Sequence, residues 1–401
     1  MKNCFDPKEF SGSDIEKINA ALDAAGKCGG TVRITQNDSP GRSHWLIDSA
    51  MLIPGHVTLI IDNCRIKLSN RCRDNMIRSA NCGLNCGSVP PLEGIRIIGE
   101  GNAILEGADI PRATGDGAKP LYTPDFKSEG PLSFGSDAGV PGENPKGDWR
   151  NIGILLANVS HFAIENITIR NSHCWAVSLE YCQHGRVRDM AFYSDGTMHI
   201  NSTEVTTRNQ DGLDLRNGCR DILIENITGA TGDDLIALTA IGLELRPAGL
   251  MERTMIMGGC ENKRDEDVCS IIIRNVKGYS YARHQIVRFL NSKGVRMYNI
   301  LLDGVIDTSL PDRRNNATVK VGDSVKAWGG VTPLGDTYGF QIRNIQSYSK
   351  AALLIAGSLQ DSIIDGILNF NPETDPVTFR SGKENIKNLV ISNTINLPLK
   401  E

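Results

Sequence analysis

Apolar and polar residues alternate in short runs along most of the chain, as in Asp221-Ile-Leu-Ile-Glu-Asn-Ile-Thr228. Alternation of this kind predicts half-buried strands. Within these runs one phrase recurs: an aliphatic residue, any residue, Asn or Asp, then usually another aliphatic. It appears as Ile164-Glu-Asn166-Ile, Val187-Arg-Asp189-Met, Ile224-Glu-Asn226-Ile and Ile273-Arg-Asn275-Val, and returns as Met297-Tyr-Asn299-Ile, Ile342-Arg-Asn344-Ile, Ile363-Ile-Asp365-Gly and Ile386-Lys-Asn388-Leu. The Asn/Asp positions are separated by 23, 37, 49, 24, 45, 21 and 23 residues. A coil of about 22 residues with loops inserted in some coils accounts for these steps. Strands at that period without intervening helices predict an all-β, single-stranded parallel β-helix. A leucine-rich repeat would need its own leucine pattern. A compact α/β fold would need a helix after each strand.

One helix is predicted, in the region 12–29. Ser13-Asp-Ile-Glu16 is a capping box, Ile15, Ile18, Leu22 and Ala25 form an apolar stripe, and Gly26 ends it. A short amphipathic helix here would cover the apolar end of a solenoid. Segments near 110–148, 242–268 and 305–337 read as surface excursions, and the whole chain, 1–401, reads as one domain.

Composition narrows the class. Of 401 residues, 40% are hydrophobic and 22% charged, which fits neither a disordered chain nor a membrane-embedded one. Lys plus Arg number 43 against 47 Asp plus Glu. So small a net charge argues against nucleic acid or an anionic membrane as partner. The 41 glycines and 5% aromatics suit tight turns around aliphatic strands. No run approaches the ~20 apolar residues of a membrane span, and none of signal-peptide length opens the sequence, so a cytoplasmic location is expected. The eleven cysteines are odd in number and irregularly spaced, and Cys82 and Cys86 find no nearby pair to complete a zinc set. Buried thiols are expected, with neither metal nor cofactor.

Stacked coils turn sequence spacing into neighbourhood, because residues one coil apart lie about 4.8 Å apart across a sheet. Asp233 follows Asp211 by 22 residues. His284 follows Asp234 by 50, or 23 once a 27-residue excursion is removed, and Lys320 follows His284 by 36. Asp211, Asp233, Asp234, His284 and Lys320 are therefore expected on one stripe. Like charges that close cannot all ionise freely, so one carboxyl becomes an acid while another stays a base. Glycoside hydrolysis uses that division. A cation nearby would hold a substrate carboxylate.

Several phrases together resemble glycoside hydrolase family 28, the polygalacturonase family of right-handed parallel β-helices. They are Asn171-Ser-His-Cys-Trp175, Asn209-Gln-Asp-Gly-Leu-Asp214, Gly232-Asp233-Asp234 and the upstream Gly99-Glu-Gly-Asn-Ala-Ile-Leu-Glu-Gly107. The resemblance implies an inverting hydrolase in which Asp233 is the general acid, Asp211 and Asp234 activate water, and Asn209, His284 and Lys320 bind substrate. Two motifs depart from the family. Its Gly-His-Gly becomes Arg283-His284-Gln285, and its Arg-x-Lys, which grips the galacturonate carboxylate, becomes Thr318-Val-Lys320. The hydrolytic centre is thus kept while the acid-sugar clamp is weakened.

A lone Asp-Gly or Asp-Asp is usually a turn; here the one-coil spacing and the flanking residues favour chemistry. Asp214 is expected to be structural, bonding turn amides, and Trp175 to be core. Five Asn-x-Ser/Thr triplets, at Asn158, Asn166, Asn201, Asn226 and Asn316, partly coincide with the repeat phrase and read as coil-turn asparagines rather than glycan acceptors. The Gly99-x-Gly101 segment has no third glycine or following helix and is not a dinucleotide site. The expected partner is an oligosaccharide or polysaccharide of pectin-like or other uronic-acid-containing type, cleaved in exo fashion behind the long excursions. The competing readings are a lyase or epimerase, usually cation-dependent, and a non-catalytic glycan-binding β-helix.

Overall fold

The computed structural model describes residues 3–38, 41–82, 89–110, 148–194, 197–200, 202–207, 209–242, 255–256 and 265–397. The expected excursion 110–148 and most of 242–268 lie outside the described residues. The chain groups into two compact units: Met1–Gln210 with Gly249–Lys263, and Asp211–Ala248 with Arg264–Glu401.

In the first unit the expected helix runs from Asp14 to Gly26. The Glu16 carboxylate accepts from the Ser13 amide at 2.7 Å and from its hydroxyl at 2.8 Å, so the capping box is formed. Ile18, Ala21, Leu22 and Ala25 are fully buried. Asn19 ties the helix to the first coils by donating to the Ala50 carbonyl and accepting from the Leu52 amide. Gly26 is the last helical residue and needs to be small, because a Cβ there would meet Pro54 at 2.9 Å. The left-handed residue that turns the chain is Gly29, at φ 64°. Beneath the helix, Thr31–Ile34, Thr58–Asp62 and Arg96–Glu100 stack in parallel register, and Arg96–Glu100 pairs in turn with Ala163–Glu165. Met51–Ile53, Ile77–Ser79, Ile154–Ala157 and Val177–Glu180 form a second parallel ladder.

The second unit repeats this scheme more regularly. A long-strand ladder joins Arg220–Thr231, Val268–Ser280, Met297–Asp307, Thr337–Ser347, Leu359–Asn369 and Ile386–Asn396, all parallel. A short-strand ladder joins Leu213–Leu215, Ile236–Ala240, Gln285–Asn291, Ala317–Val321, Leu353–Ile355 and Val377–Phe379, also parallel. Successive coils contribute one strand to each, which is the parallel β-helix expected. Ile224, Ile273, Leu302, Ile342 and Ile364 stack at one register position with no exposure. Each such burial stabilises by about 2 kcal/mol.

The recurring Asn has a backbone cause. Every long strand of this unit carries two left-handed residues five positions apart. The first set is Asp221, Ser270, Asn299, Gly339, Asp361 and Asn388; the second is Asn226, Asn275, Gly304, Asn344, Gly366 and Asn393. All have φ between 45° and 90°, where Asn, Asp and Gly are the residues of least strain. The sequence phrase draws on both columns, Asn226, Asn275 and Asn344 from the second and Asn299 and Asn388 from the first, while Asp365 lies in neither, and loop insertions add to its uneven steps, since Asn226 and Asn275 share a column yet stand 49 residues apart. Side chains reinforce the columns: the Asn275 amide donates to Asn226 Oδ1 at 3.2 Å, and that of Asn388 to Asp361 Oδ1 at 2.8 Å. Asn158, Asn166 and Asn226, three of the glycosylation triplets, are left-handed in the same way.

One expected loop is corrected. The stretch 305–337 is not a single excursion: it contains the strand Ala317–Val321, which pairs with both Gln285–Asn291 and Leu353–Ile355. Val305 itself lies inside the strand Met297–Asp307. The loops are only 308–316 and 322–336, broken by two single-turn helices, and their Pro, Gly and Asp content masked the five-residue strand between them. The core expectation for Trp175 holds: it packs with Trp149, Ile152, Leu155 and Cys174 at 8% exposure. Of the nine described cysteines, seven are buried.

Candidate active site

The long strand Arg220–Thr231 and the short strand Ile236–Ala240 meet at a corner formed by Gly232, Asp233 and Asp234. On a straight strand two consecutive side chains point to opposite faces. The bend at the corner removes that restriction, and Asp233, Asp234 and His284 bring one donor atom each within 4.8 Å of one another.

The Asp234 amide is the hub. It donates to Asp211 Oδ1 and to Asp233 Oδ1, each at 3.0 Å, so two carboxylates converge on one nitrogen. Asp234 is 1% exposed, and its Oδ1 accepts from the Gln285 amide at 2.8 Å. Asp233 is the more open member, with a side chain 17% exposed, and the His284 Nδ1 stands 3.3 Å from its Oδ1. His284 is held from behind by its backbone amide, which donates to Ser280 Oγ at 3.1 Å. His284 was expected one coil from Asp234, but the register, in which Ile236 pairs with Val287, sets it one coil from Asp233 and sets Gln285 against Asp234.

Asp214 departs from expectation. It sits on the strand Leu213–Leu215, 3% exposed, and its Oδ2 has no hydrogen-bond partner among the described residues. It is therefore not simply a carboxylate satisfied by turn amides. Burial, then the charges of Asp214, Asp233 and Asp234, push the Asp211 carboxyl well above the usual carboxylate range. Burial, opposed by Arg216 and reinforced by Asp234 and Asp233, does the same to Asp214. Asp211 and Asp214 thus hold their protons to higher pH than an ordinary aspartate.

A cation missed at the sequence level stands beside it. Asp214, Ala237, Arg288 and Lys320 share one register position on successive strands. Ala237 leaves room above its rung, and Arg288 NH1 lies 3.6 Å from Asp234 Oδ2. The Arg288 NH2 meets Asp323 Oδ2 at 3.2 Å, and its guanidinium lies 5.7 Å from the Trp328 ring. The signal was a single charged residue inside the apolar run Ile286-Val-Arg-Phe-Leu290.

Lys320 lies one rung from Arg288, not on the rung of His284. Its ammonium donates to the same Asp323 Oδ2 at 2.6 Å, and its side chain is 11% exposed. Asp323, though raised by burial, is held below the usual carboxylate range by Lys320, the Val325 amide and Arg288. Thr318, at the position of the family's clamp arginine, is fully buried and bonded to Asp307, Ser347 and Ser349. Asn209 lies in the first unit, 4% exposed and left-handed at φ 54°, a position whose residue type the backbone itself accounts for. Asp233, Asp234 and His284 could offer a cation three ligand atoms. Arg288 already places a positive charge on the same Asp234, which favours acid–base groups over ligands.

No family model matches the chain, and no curated protein matches its sequence. Solved structures do match. An endo-xylogalacturonan hydrolase from Aspergillus tubingensis is similar at 12% identity over 97% of this chain and 90% of that one, with a TM-score of 0.60. A hyperthermoactive exopolygalacturonase from Thermotoga maritima is similar at 13% identity over 98% and 93%, with a TM-score of 0.55. A tailspike protein of E. coli bacteriophage HK620, solved with a pentasaccharide, is similar at 13% over 95% of this chain and 61% of that one, TM-score 0.56. At such identities the likeness is one of fold, and that fold is the parallel β-helix which the sequence resemblance implied.

Proposed function

We propose that the chain is a glycoside hydrolase of polygalacturonase type, acting on a pectin-like or other uronic-acid-containing oligosaccharide. The observation that carries this reading is the convergence of Asp211 and Asp233 on the Asp234 amide at a strand corner. Asp233, the most open of the carboxylates and flanked by His284, protonates the glycosidic oxygen. Asp234, paired with Arg288, takes the proton of the attacking water. Asp211, whose carboxyl burial and its acidic neighbours raise above the usual range, holds that water. His284 fixes the Asp233 carboxyl and contacts the sugar. The folds shared with an endo-xylogalacturonan hydrolase and an exopolygalacturonase support the substrate class.

The reaction is proposed to be inverting and exo-acting. Two carboxylates on one amide stand closer than the ~6.5–9.5 Å common in inverting enzymes. Proton NMR of the first-formed anomer is therefore the sharpest test of that part, and release of mixed long fragments from a polymer would sink exo action.

The central experiment is reducing-sugar release from a panel of galacturonides and other oligosaccharides by the parent and by Asp233→Asn. Loss of about a hundredfold or more in turnover, the scale of a general acid, is expected. An unsaturated product that disappears with chelator would overturn hydrolysis in favour of a lyase. Glycan binding without turnover in the parent would favour a non-catalytic β-helix.

A further inference from the structure

Asp234 is a buried carboxylate crowded by others. Asp211 and Asp233 approach through its own amide, Asp214 lies on the neighbouring strand, and His284 faces Asp233. A base in such company tends to take up a proton unless something holds the charge on it. Two groups face its oxygens: the Gln285 amide at Oδ1, 2.8 Å away, and the Arg288 guanidinium at Oδ2, 3.6 Å away. That second distance is an ion pair but not a direct hydrogen bond. Oδ2 therefore takes no direct hydrogen bond from Arg288 while feeling a full positive charge.

The guanidinium is held at that distance by other groups. Asp323 draws it back at 3.2 Å, and Asp323 is in turn fixed by the Lys320 ammonium at 2.6 Å and the Val325 amide at 3.0 Å. Trp328 covers the guanidinium at 5.7 Å. Charges thus alternate from Asp234 through Arg288 and Asp323 to Lys320, across two adjacent strands and the loop that follows the second.

We propose that Arg288 is a positioning residue for Asp234: anchored by Asp323 and covered by Trp328, it keeps the Asp234 carboxylate charged and its Oδ2 free to receive the proton of a bound water. Nothing in the sequence phrases that resemble a known family includes this arginine. The inference rests on the reading of Asp234 as the base, and it gives Lys320 a role at second hand, through Asp323, rather than as a free clamp.

The test reads Asp234 directly. Aspartate carboxyl carbons are labelled with 13C in the full chain, the Asp234 signal is assigned with Asp234→Asn, and its titration is followed in the parent, Arg288→Gln and Arg288→Lys. Removing an opposite charge at this range is expected to raise the Asp234 midpoint by about one pH unit or more in Arg288→Gln. Arg288→Lys should restore most of the parent value. Should Arg288→Gln fail to fold, Arg288→Met keeps the aliphatic stem against Trp328 and is read the same way. An Asp234 midpoint in the neutral variant equal to that of the parent overturns the proposal. On any glycan the parent cuts, the acidic limb of kcat should move to higher pH by the same amount with KM little changed. A merely structural arginine would lower activity evenly across pH. If the parent cuts nothing, hydrolysis fails while the titration still decides the role of Arg288.

Discussion

Two buried aspartates of the second unit, Asp214 and Asp307, are treated in opposite ways by their surroundings. Asp307 is 1% exposed and surrounded by donors: the Ser309 amide at 2.8 Å, the Asn315 amide group at 3.3 Å, the Thr318 hydroxyl at 3.2 Å, the Tyr348 amide at 3.1 Å and the Ser349 hydroxyl at 2.5 Å. Asp214 is 3% exposed, and one of its oxygens has no partner among the described residues. Burying a carboxylate is tolerable when donors satisfy it and costly when they do not. The Asp307 network ties the turn after one long strand to the short strand that follows and to the end of the next long strand. The Asp214 side of the molecule instead keeps an unsatisfied oxygen beside Asp211, Asp233 and Asp234.

The largest test of this contrast is Thr318→Arg, the change that would restore the family's clamp motif on paper. Thr318 has no exposure, and its hydroxyl serves three partners in the Asp307 network. A guanidinium there must displace the network or remain buried, with an expected loss of about 4 kcal/mol or more. Thermal or urea unfolding would show it, and no gain in galacturonide binding is expected. A stable variant with tighter galacturonide binding would show that Thr318 merely vacated the clamp.

Next in size is the same substitution made at both aspartates. Asp307→Asn turns one acceptor oxygen into an NH2 facing donors and should cost about 3 kcal/mol. Asp214→Asn removes a carboxyl whose ionisation its site disfavours and should leave stability unchanged or raise it by about 1 kcal/mol at pH 7. Opposite signs in urea midpoints, at equal m values, would sharpen the comparison. Equal losses would break it.

How much of this was legible beforehand depends on how many coils a feature needs. The helix at Asp14–Gly26 and the coil repeat are local and periodic, so they were readable, whereas coil counting set His284 against Asp234 and the register sets it against Asp233. The two columns of left-handed residues were not separable, because Asn226 and Asn299 look identical in sequence while standing at different places in the strand. Arg288 could have been suspected from its solitary charge in an apolar strand, but its partners Asp234 and Asp323 come from different coils. The role of Thr318 was unreadable for the same reason: its partners are residues 307, 347 and 349.

The smallest effect is a slope. Asp211 and Asp214 carry carboxyls raised above the ~3.9 of an unfolded aspartate. Between that value and the folded one, the native state holds protons that the unfolded state has released, so stability falls as pH rises through the window. Asp323, lowered by Lys320, acts the other way: its contribution is complete above ~3.9 and is lost only as pH falls through its folded value. Above about pH 4.5 the slope from these three groups is therefore set by the corner carboxylates alone. The Tm of the parent should drop across that range more steeply than the Tm of Asp214→Asn. Groups elsewhere in the chain titrate in both proteins and cancel in the difference. If Asp214→Asn and the parent ran parallel from pH 4.5 to 8, Asp214 would be ionised and satisfied in the fold, and the contrast between the two aspartates would collapse.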